Sequence, residues 1–167
     1  EDTLSLHDAL PISPLEVMTG KIVPYILIGL IQVTLILVAA LWLFDIPMFG
    51  SWFLLYVAVL LFICANLTLG ITFSSVASNQ LQAMQMTVFF FLPSLLLSGF
   101  MFPFRGMPGW AQALGEVLPL THFLRLIRAV MLKGAGFADV AQPMAALSVF
   151  VIVLGALALR RFRRTLD

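Results

Sequence analysis

Charged residues and cysteine are scarce in this sequence. Asp, Glu, Lys and Arg make up 10% of the 167 residues, against about 25% in soluble globular domains, and 62% of the residues are hydrophobic. No charged residue lies between Lys21 and Asp45, or between Asp45 and Arg105. Each gap exceeds the roughly 20 apolar residues that one transmembrane helix needs. The composition excludes a soluble globular domain and indicates an integral membrane protein of about one domain.

Motifs for chemistry are also missing. The single cysteine, Cys64, excludes an intrachain disulfide and lies in an apolar run, which favours a packed core residue over a reactive thiol. The Gly20-Lys21 pair lacks the earlier glycine and the following Ser or Thr of a phosphate loop. His122 has no HExxH context and no nearby cysteine. We therefore predict a protein that is not an enzyme, with no catalytic, cofactor or metal residues and no surface for nucleic acid.

The first residues do not read as natural protein sequence. Residues 2–12, DTLSLHDALPI, resemble the translation of a sequencing adapter, so we leave residues 1–12 out of the fold prediction. His7 and Asp8 lie in this stretch and are given no role. We accordingly expect the chain to be the carboxy-terminal part of a longer protein.

The apolar runs predict an all-α membrane protein with four transmembrane helices, at about 22–44, 52–76, 86–104 and 140–159. The first run, for example, has 23 residues and would be about 34 Å long as a helix. Pro93 interrupts the third run, which predicts a broken or bent helix packed inside a bundle. The polar residues from Asn79 to Gln85 predict a turn before that helix. We expect residues 165–167 to form a short tail.

Small residues recur at a spacing of four at Gly70, Ser74 and Ser78, in and just after the second span. This spacing places them on one face of a helix, where small side chains let another helix approach closely. We predict a helix packing surface there.

The segment 105–137 is too charged and too interrupted by proline to be a span. Apolar residues at helical spacing alternate with His122, Arg125 and Arg128, which predicts an amphipathic helix that lies in the membrane interface or dips into it. Lys133 and Gly134 are typical of a helix end. The apolar face is predicted to consist of Leu120, Phe123, Leu124, Ile127, Val130 and Met131.

The order of these signals resembles a known family. The chain resembles the permease subunits of type-2 ATP-binding cassette (ABC) exporters in the order of four signals. These are Pro93, LLSGFMFPF, MPGW, and LPLTHF followed by Arg128. The resemblance implies six spans in the full subunit, a separate cytoplasmic ATP-binding subunit, and a permease homodimer or paired permease. It also implies that segment 105–137 is an extracytoplasmic pair of short helices.

Two sets of site residues follow from the resemblance. In the hairpin we single out Pro103, Pro108, Glu116, Pro119, His122 and Arg128. Glu116, His122 and Arg128 are candidates for a buried polar contact, with an interfacial cap and snorkelling arginines as the alternative. In segment 13–21, Pro14, Glu16, Gly20 and Lys21 fit the family's cytoplasmic coupling element, which touches the ATPase. The alternative is a helix cap with a snorkelling lysine.

The charge distribution predicts the orientation in the membrane. Arg160, Arg161, Arg163 and Arg164 follow the last span directly, which marks the cytoplasmic side, and four spans place Lys21 on the same side. Arg105, Arg125, Arg128 and Lys133 then lie outside, a conflict that an interfacial helix reduces. We expect a bacterial inner-membrane protein with a cytoplasmic carboxyl terminus.

We therefore expect the chain to be the permease of an exporter for drugs, lipids or glycans, which forms the translocation path and is driven by another subunit. The alternative is a membrane anchor or assembly subunit that does not transport. An ion-coupled carrier is disfavoured, because the spans lack the charged residues that such carriers use.

Overall fold

The computed structural model describes residues 14–164, in which all regular structure is helical. The segments predicted as adapter (1–12) and tail (165–167) lie outside this range. The α-helices are α1 (Pro14–Phe44), α2 (Trp52–Val76), α3 (Gln80–Leu97), α4 (Gly109–Val117), α5 (Pro119–Lys133) and α6 (Phe137–Arg164), with a 3₁₀ turn at Phe104–Gly106. α1, α2, α3 and α6 are long and apolar enough to cross a membrane. The predicted class of four spans with a helical hairpin before the last is confirmed.

Helix α3 differs from its prediction at both ends. The backbone N–H of Gln82 donates to Asn79 Oδ1 over 2.8 Å, and the backbone N–H of Ser78 donates to Gln82 Oε1 over 2.7 Å. This reciprocal cap starts the helix at Gln80, so the predicted polar turn is largely helix. The helix ends at Leu97 rather than at 104, because Gly99 takes a left-handed φ of 83°.

Pro93 does not break α3, and within the described chain this helix is not enclosed by the others. The helix continues through Pro93, and Ser94 is the one buried residue along it. Phe89, by contrast, is 78% exposed within the described chain. The apolar side chains of α3 point in every direction around the helix. Hydrophobicity therefore cannot distinguish the face that contacts protein from the face that contacts lipid. The helix lies at the edge of the bundle, against α2 and the hairpin.

The core of the bundle lies between α2, α5 and α6. Leu55, Leu126 and Leu147 contribute one fully buried side chain from each of these helices. Lipid tails are as apolar as leucine, so such a core is stabilised by close packing rather than by exclusion of water. The other buried members of this cluster are Leu37, Leu54, Ala58, Val130, Met131, Val140 and Met144.

Helix α1 packs along the outside of α2. The hydroxyl oxygens of Thr34 and Tyr56 are 2.8 Å apart and join the two helices by a hydrogen bond. A Cβ added to Gly29 would lie 2.9 Å from Ile63 Cδ1, so the glycine permits this close approach. The rest of α1 is largely exposed, with Trp42 at 86%, which suits a helix surrounded by lipid.

The loop between α1 and α2 is attached to α5. The backbone N–H of Phe49 donates to the carbonyl of Met131 over 3.0 Å. Gly50 lies so close to the carbonyl oxygen of Val130 that a Cβ there would overlap it. This contact places the carboxyl end of α5 level with the start of α2.

Candidate functional site

The hairpin formed by α4 and α5 enters the bundle. Phe123 on α5 stacks on Phe62 of α2, with ring centroids 4.0 Å apart and planes 6° apart. Phe62 lies ten residues beyond Trp52, or about 15 Å along α2 from its start. Since the other end of α5 is attached at that start, α5 runs down beside α2 rather than across its end. The hairpin therefore packs among the helices of the bundle, and its depth relative to the membrane interface remains a prediction.

The turn between α4 and α5 is built by proline and by one side-chain hydrogen bond. Pro119 is the buried first residue of α5, where a missing N–H costs nothing. The hydroxyl of Thr121, itself fully buried, donates to the carbonyl of Gly115 over 2.6 Å. At the other end of α5, Gly134 adopts the left-handed conformation of a helix C-cap, with φ 63°. The predicted stop at Lys133 and Gly134 is confirmed.

Gly115 sets the distance between the hairpin and α3. A Cβ at this position would lie 2.6 Å from the carbonyl oxygen of Leu97 and 2.7 Å from Phe104 Cε2. Real Cβ atoms essentially never come so close to other heavy atoms. A glycine is therefore required where α4 crosses the end of α3.

The charges of the hairpin form an ion pair across the turn. Arg125 binds Glu116 with both terminal nitrogens: Nη1 donates to Oε2 over 2.9 Å and Nη2 donates to Oε1. The guanidinium also lies 4.7 Å above the ring centre of Phe104. The hydrogen bond from Arg125 lowers the pKa of the Glu116 carboxyl below its usual value. His122 Nε2 lies 2.7 Å from the backbone carbonyl oxygen of Glu116 and 4.0 Å from its Oε2.

The structure groups these residues differently from the sequence prediction. Glu116 and His122 do come together, but their charged partner is Arg125, which the prediction did not include among its candidates, and not Arg128. The ion pair is also partly exposed rather than buried, since 46% of the Glu116 side chain and 40% of the Arg125 side chain are exposed. Opposite charges on either side of Pro119 are the sequence signal from which this pair could have been predicted. The functional role of these residues remains a prediction.

Arg128 connects α5 to the end of α3. Its Nη2 donates to the carbonyl of Gly99 over 3.1 Å, and within the described part of the chain it forms no salt bridge. Gly99 is the left-handed residue that follows α3. Pro103 and Pro108 are exposed and precede the 3₁₀ turn and α4, respectively, as their N-caps. Together these residues shape the chain between α3 and the hairpin.

The predicted coupling residues lie at the opposite end of the bundle. Pro14 is the first residue of α1, so segment 13–21 is, from Pro14 onward, continuous with the first span. Glu16 is exposed in the first turn, and a Cβ on Gly20 would meet nothing within 4 Å. Lys21 lines a cleft of about 230 Å³ between α1 and α2, together with Ser74 and other residues.

The residues of the predicted packing surface, Gly70, Ser74 and Ser78, are exposed, and Ser78 does not share the helix face because α2 ends at Val76. A Cβ on Gly70 would meet nothing within 4 Å, and both Gly70 and Ser74 line the cleft that separates α2 from α1. The surface remains a prediction about a partner helix. The described residues also hold no group of three or more His, Cys, Asp or Glu side chains placed to bind a metal ion.

Comparison with known proteins agrees with this architecture. The ABC-2 type transporter family matches residues 3–132. The match includes residues that we ascribed to an adapter, and that ascription remains a prediction. No solved structure matches the chain.

Relatives are found in bacteria and in a eukaryote. YbhR of Escherichia coli (strain K12), a probable multidrug ABC transporter permease, is 32% identical over 160 residues, which cover 94% of this chain and 44% of YbhR. YhhJ of the same organism, an inner membrane transport permease, is 32% identical over 158 residues, covering 94% of this chain and 42% of YhhJ. ABC transporter G family member 20 of Dictyostelium discoideum is 27% identical over 121 residues, which cover 72% of this chain and 17% of that protein.

The chain thus spans less than half the length of these relatives. The family match nevertheless covers most of the chain, and the four apolar helices make it a multi-pass membrane protein. The resemblance that the sequence suggested is confirmed: the chain belongs to the ABC-2 type transporter family.

Proposed function

We propose that the chain is the membrane-spanning part of an ABC exporter permease, which forms the translocation path and is driven by a separate ATP-binding subunit. The family match over residues 3–132, on a four-span bundle with an inserted hairpin, is the observation that carries this proposal. Two relatives are permeases by name, and one of these is named for multidrug transport. We extend this to a drug, lipid or glycan substrate that moves outward.

The charge pattern supports a driver outside this chain. The sequence has no charged residue between Lys21 and Asp45 or between Asp45 and Arg105, a region that holds most of α1 and all of α2 and α3. Carriers that couple transport to ions use charged residues within their spans. We infer that ATP hydrolysis takes place in the partner subunit and not in this chain.

The amino-terminal turns of α1 are the proposed contact with that partner. α1 begins at Pro14, while its apolar span begins at Thr19, so the first turn projects beyond the apolar part. Glu16 is exposed there and sits at the positive end of the helix. A motion of the partner at this turn would act on the same continuous helix that forms the first span.

The proposed orientation has both ends of the described chain in the cytoplasm of a bacterium, with the hairpin outside the inner membrane. The arginines from 160 to 164 close α6 and favour the cytoplasmic side. We also propose that two permeases pair, with α3 or the exposed face at Gly70 and Ser74 available for the contact.

The test is a matched pair of charge neutralisations at the two ends of α1. The permease is co-expressed with an ABC-type ATP-binding subunit, purified, and assayed for bound subunit and for its ATPase rate. Glu16→Gln removes the acid from the proposed contact, and Asp45→Asn removes one from the opposite end. Asp45 has φ 48°, which asparagine also adopts readily.

We expect Glu16→Gln to reduce the stimulated ATPase rate several-fold, whereas Asp45→Asn leaves it near the wild-type value. An equal effect of the two variants would reject the coupling role of Glu16. A permease that neither binds nor stimulates the ATP-binding subunit would reject the exporter proposal itself.

A further inference from the structure

An apolar cavity of about 440 Å³ lies between α1, α2 and α5. Its size falls in the range of about 300–1,000 Å³ that is typical of ligand pockets. The exposed surface of its lining is apolar throughout. The lining comprises Val33, Ile36, Leu37, Ala40, Ile46, Leu55, Val59, Phe123, Ile127, Arg128, Met131 and Leu132.

The cavity opens on the side of the bundle, in the half that contains the hairpin. Two of its lining residues, Ile36 on α1 and Leu132 on α5, are 58% and 51% exposed. Leu55, at its inner wall, is fully buried. The cavity is therefore a cleft that reaches from the lipid-facing surface to the core of the bundle.

One cation lies at this cleft. The side chain of Arg128 contributes to the lining, and its guanidinium extends past the apolar walls to the carbonyl of Gly99. A guanidinium has five N–H donors, and one terminal nitrogen is used in this bond. Arg128 has no carboxylate partner among residues 14–164. Its remaining donors are available to an anion.

Arg128 lies near the end of α5 that adjoins the loop before α2. It lies five residues before Lys133, the last residue of α5, or about 7–8 Å along the helix. That end of α5 is attached to the loop before α2, at the edge of the spans. A long cationic side chain within two turns of a helix end reaches the membrane interface.

We propose that this cleft binds one phospholipid from the leaflet on the hairpin side, with an acyl chain in the apolar cavity and the phosphate bound by Arg128. The occupant must be apolar along its length, because the walls offer no hydrogen-bonding groups to a peptide backbone. It must also carry an anion at one end. A phospholipid meets both conditions, and the proposal holds whether or not the chain transports anything.

The test uses the whole chain, purified in mild detergent and titrated with phosphatidylglycerol while bound lipid is counted by native mass spectrometry. Ala40→Phe fills the cavity, and Ala145→Phe is its control on an exposed site of α6 outside the lining. Arg128→Gln removes the charge and Arg128→Lys keeps it. Arg105→Gln is the matched control at an exposed arginine.

We expect one lipid that resists delipidation in the wild type, in both controls and, more weakly, in Arg128→Lys. Arg128→Gln should weaken binding about tenfold, as loss of a charge-assisted hydrogen bond would, and Ala40→Phe should abolish it. If Ala40→Phe is not monodisperse, Ala40→Leu takes its place. Equal binding by wild type, Ala40→Phe and Arg128→Gln would overturn the proposal.

A second readout locates the lipid. A phosphatidylglycerol with a photoreactive group in one acyl chain should label the lining residues of α1 and α5, and this labelling should be lost in Ala40→Phe. Labelling confined to α3 or α6, competition by inorganic phosphate alone, or crosslinks from the cleft to a second copy of the chain would each overturn the proposal.

Discussion

Gly115 gives the sharpest test of how the hairpin is held. The substitution Gly115→Ala adds one methyl group, which would lie 2.6 Å from the carbonyl oxygen of Leu97 and 2.7 Å from the ring of Phe104. The first contact is with a backbone atom, which cannot rotate away as a side chain can. The overlap can therefore be removed only if α4 shifts away from α3. The second contact would displace the ring of Phe104, over which the guanidinium of Arg125 lies.

The expected cost is the sum of two effects. Overpacking of a close contact costs about 1–3 kcal/mol, and a displaced cation–π pair at a half-exposed site costs about 0.5–1 kcal/mol more. Alanine is favoured over glycine inside a helix by about 1 kcal/mol, which offsets part of this. We expect Gly115→Ala to lower the free energy of unfolding by about 0.5–3 kcal/mol.

The assay is unfolding of the purified protein in mixed micelles with increasing sodium dodecyl sulfate, followed by circular dichroism. Gly109→Ala is the matched control, because it is the same change in the same helix at a site where a Cβ meets nothing within 4 Å. The control should be neutral or slightly stabilising. Equal or greater stability of Gly115→Ala relative to Gly109→Ala would refute the close packing of α4 on α3.

Two further predictions concern the turn and the end of α5. A double-mutant cycle of Glu116→Gln and Arg125→Gln should give a coupling of about 0.2–1 kcal/mol, the usual range for an exposed pair. The pKa of Glu116 is lowered in the fold. The coupling should therefore be fully present when the pH is above the usual carboxyl pKa, and it should be lost as the pH falls through the lowered pKa. A coupling that persists in strong acid would contradict the ion pair. Gly134→Ala, at φ 63°, should cost about 1–2 kcal/mol in the same unfolding assay, and a neutral effect would contradict the left-handed cap.

The positions of proline, glycine and charged residues along the sequence were enough to predict the order of the helices. Pro119 at the start of α5 and Gly134 at its end follow from backbone geometry that these residues fix locally. The limits of α3 were missed, because its start depends on a side-chain cap between Asn79 and Gln82. Such a cap forms in polar sequence that looks like a turn.

The candidate site was harder to predict, because its contacts join distant parts of the chain. Glu116 and Arg125 meet only because Thr121 and Pro119 fold α4 back on α5. The apolar face predicted for α5 omitted Leu126, which is fully buried. A helix inserted among three others is covered on more than one side, so a single hydrophobic face describes it incompletely.

The fold connects the two candidate regions through one element. α1 has 31 residues and is about 46 Å long, from the exposed turn at Glu16 to the loop after Phe44. That loop is hydrogen-bonded to α5 through Phe49 and Met131, and Gly50 lets the backbones touch. A tilt of α1 imposed at its first turn would therefore act on a helix that continues, through Pro24, to the loop beside the hairpin. The comparison of Glu16→Gln with Asp45→Asn examines the two ends of this one connection.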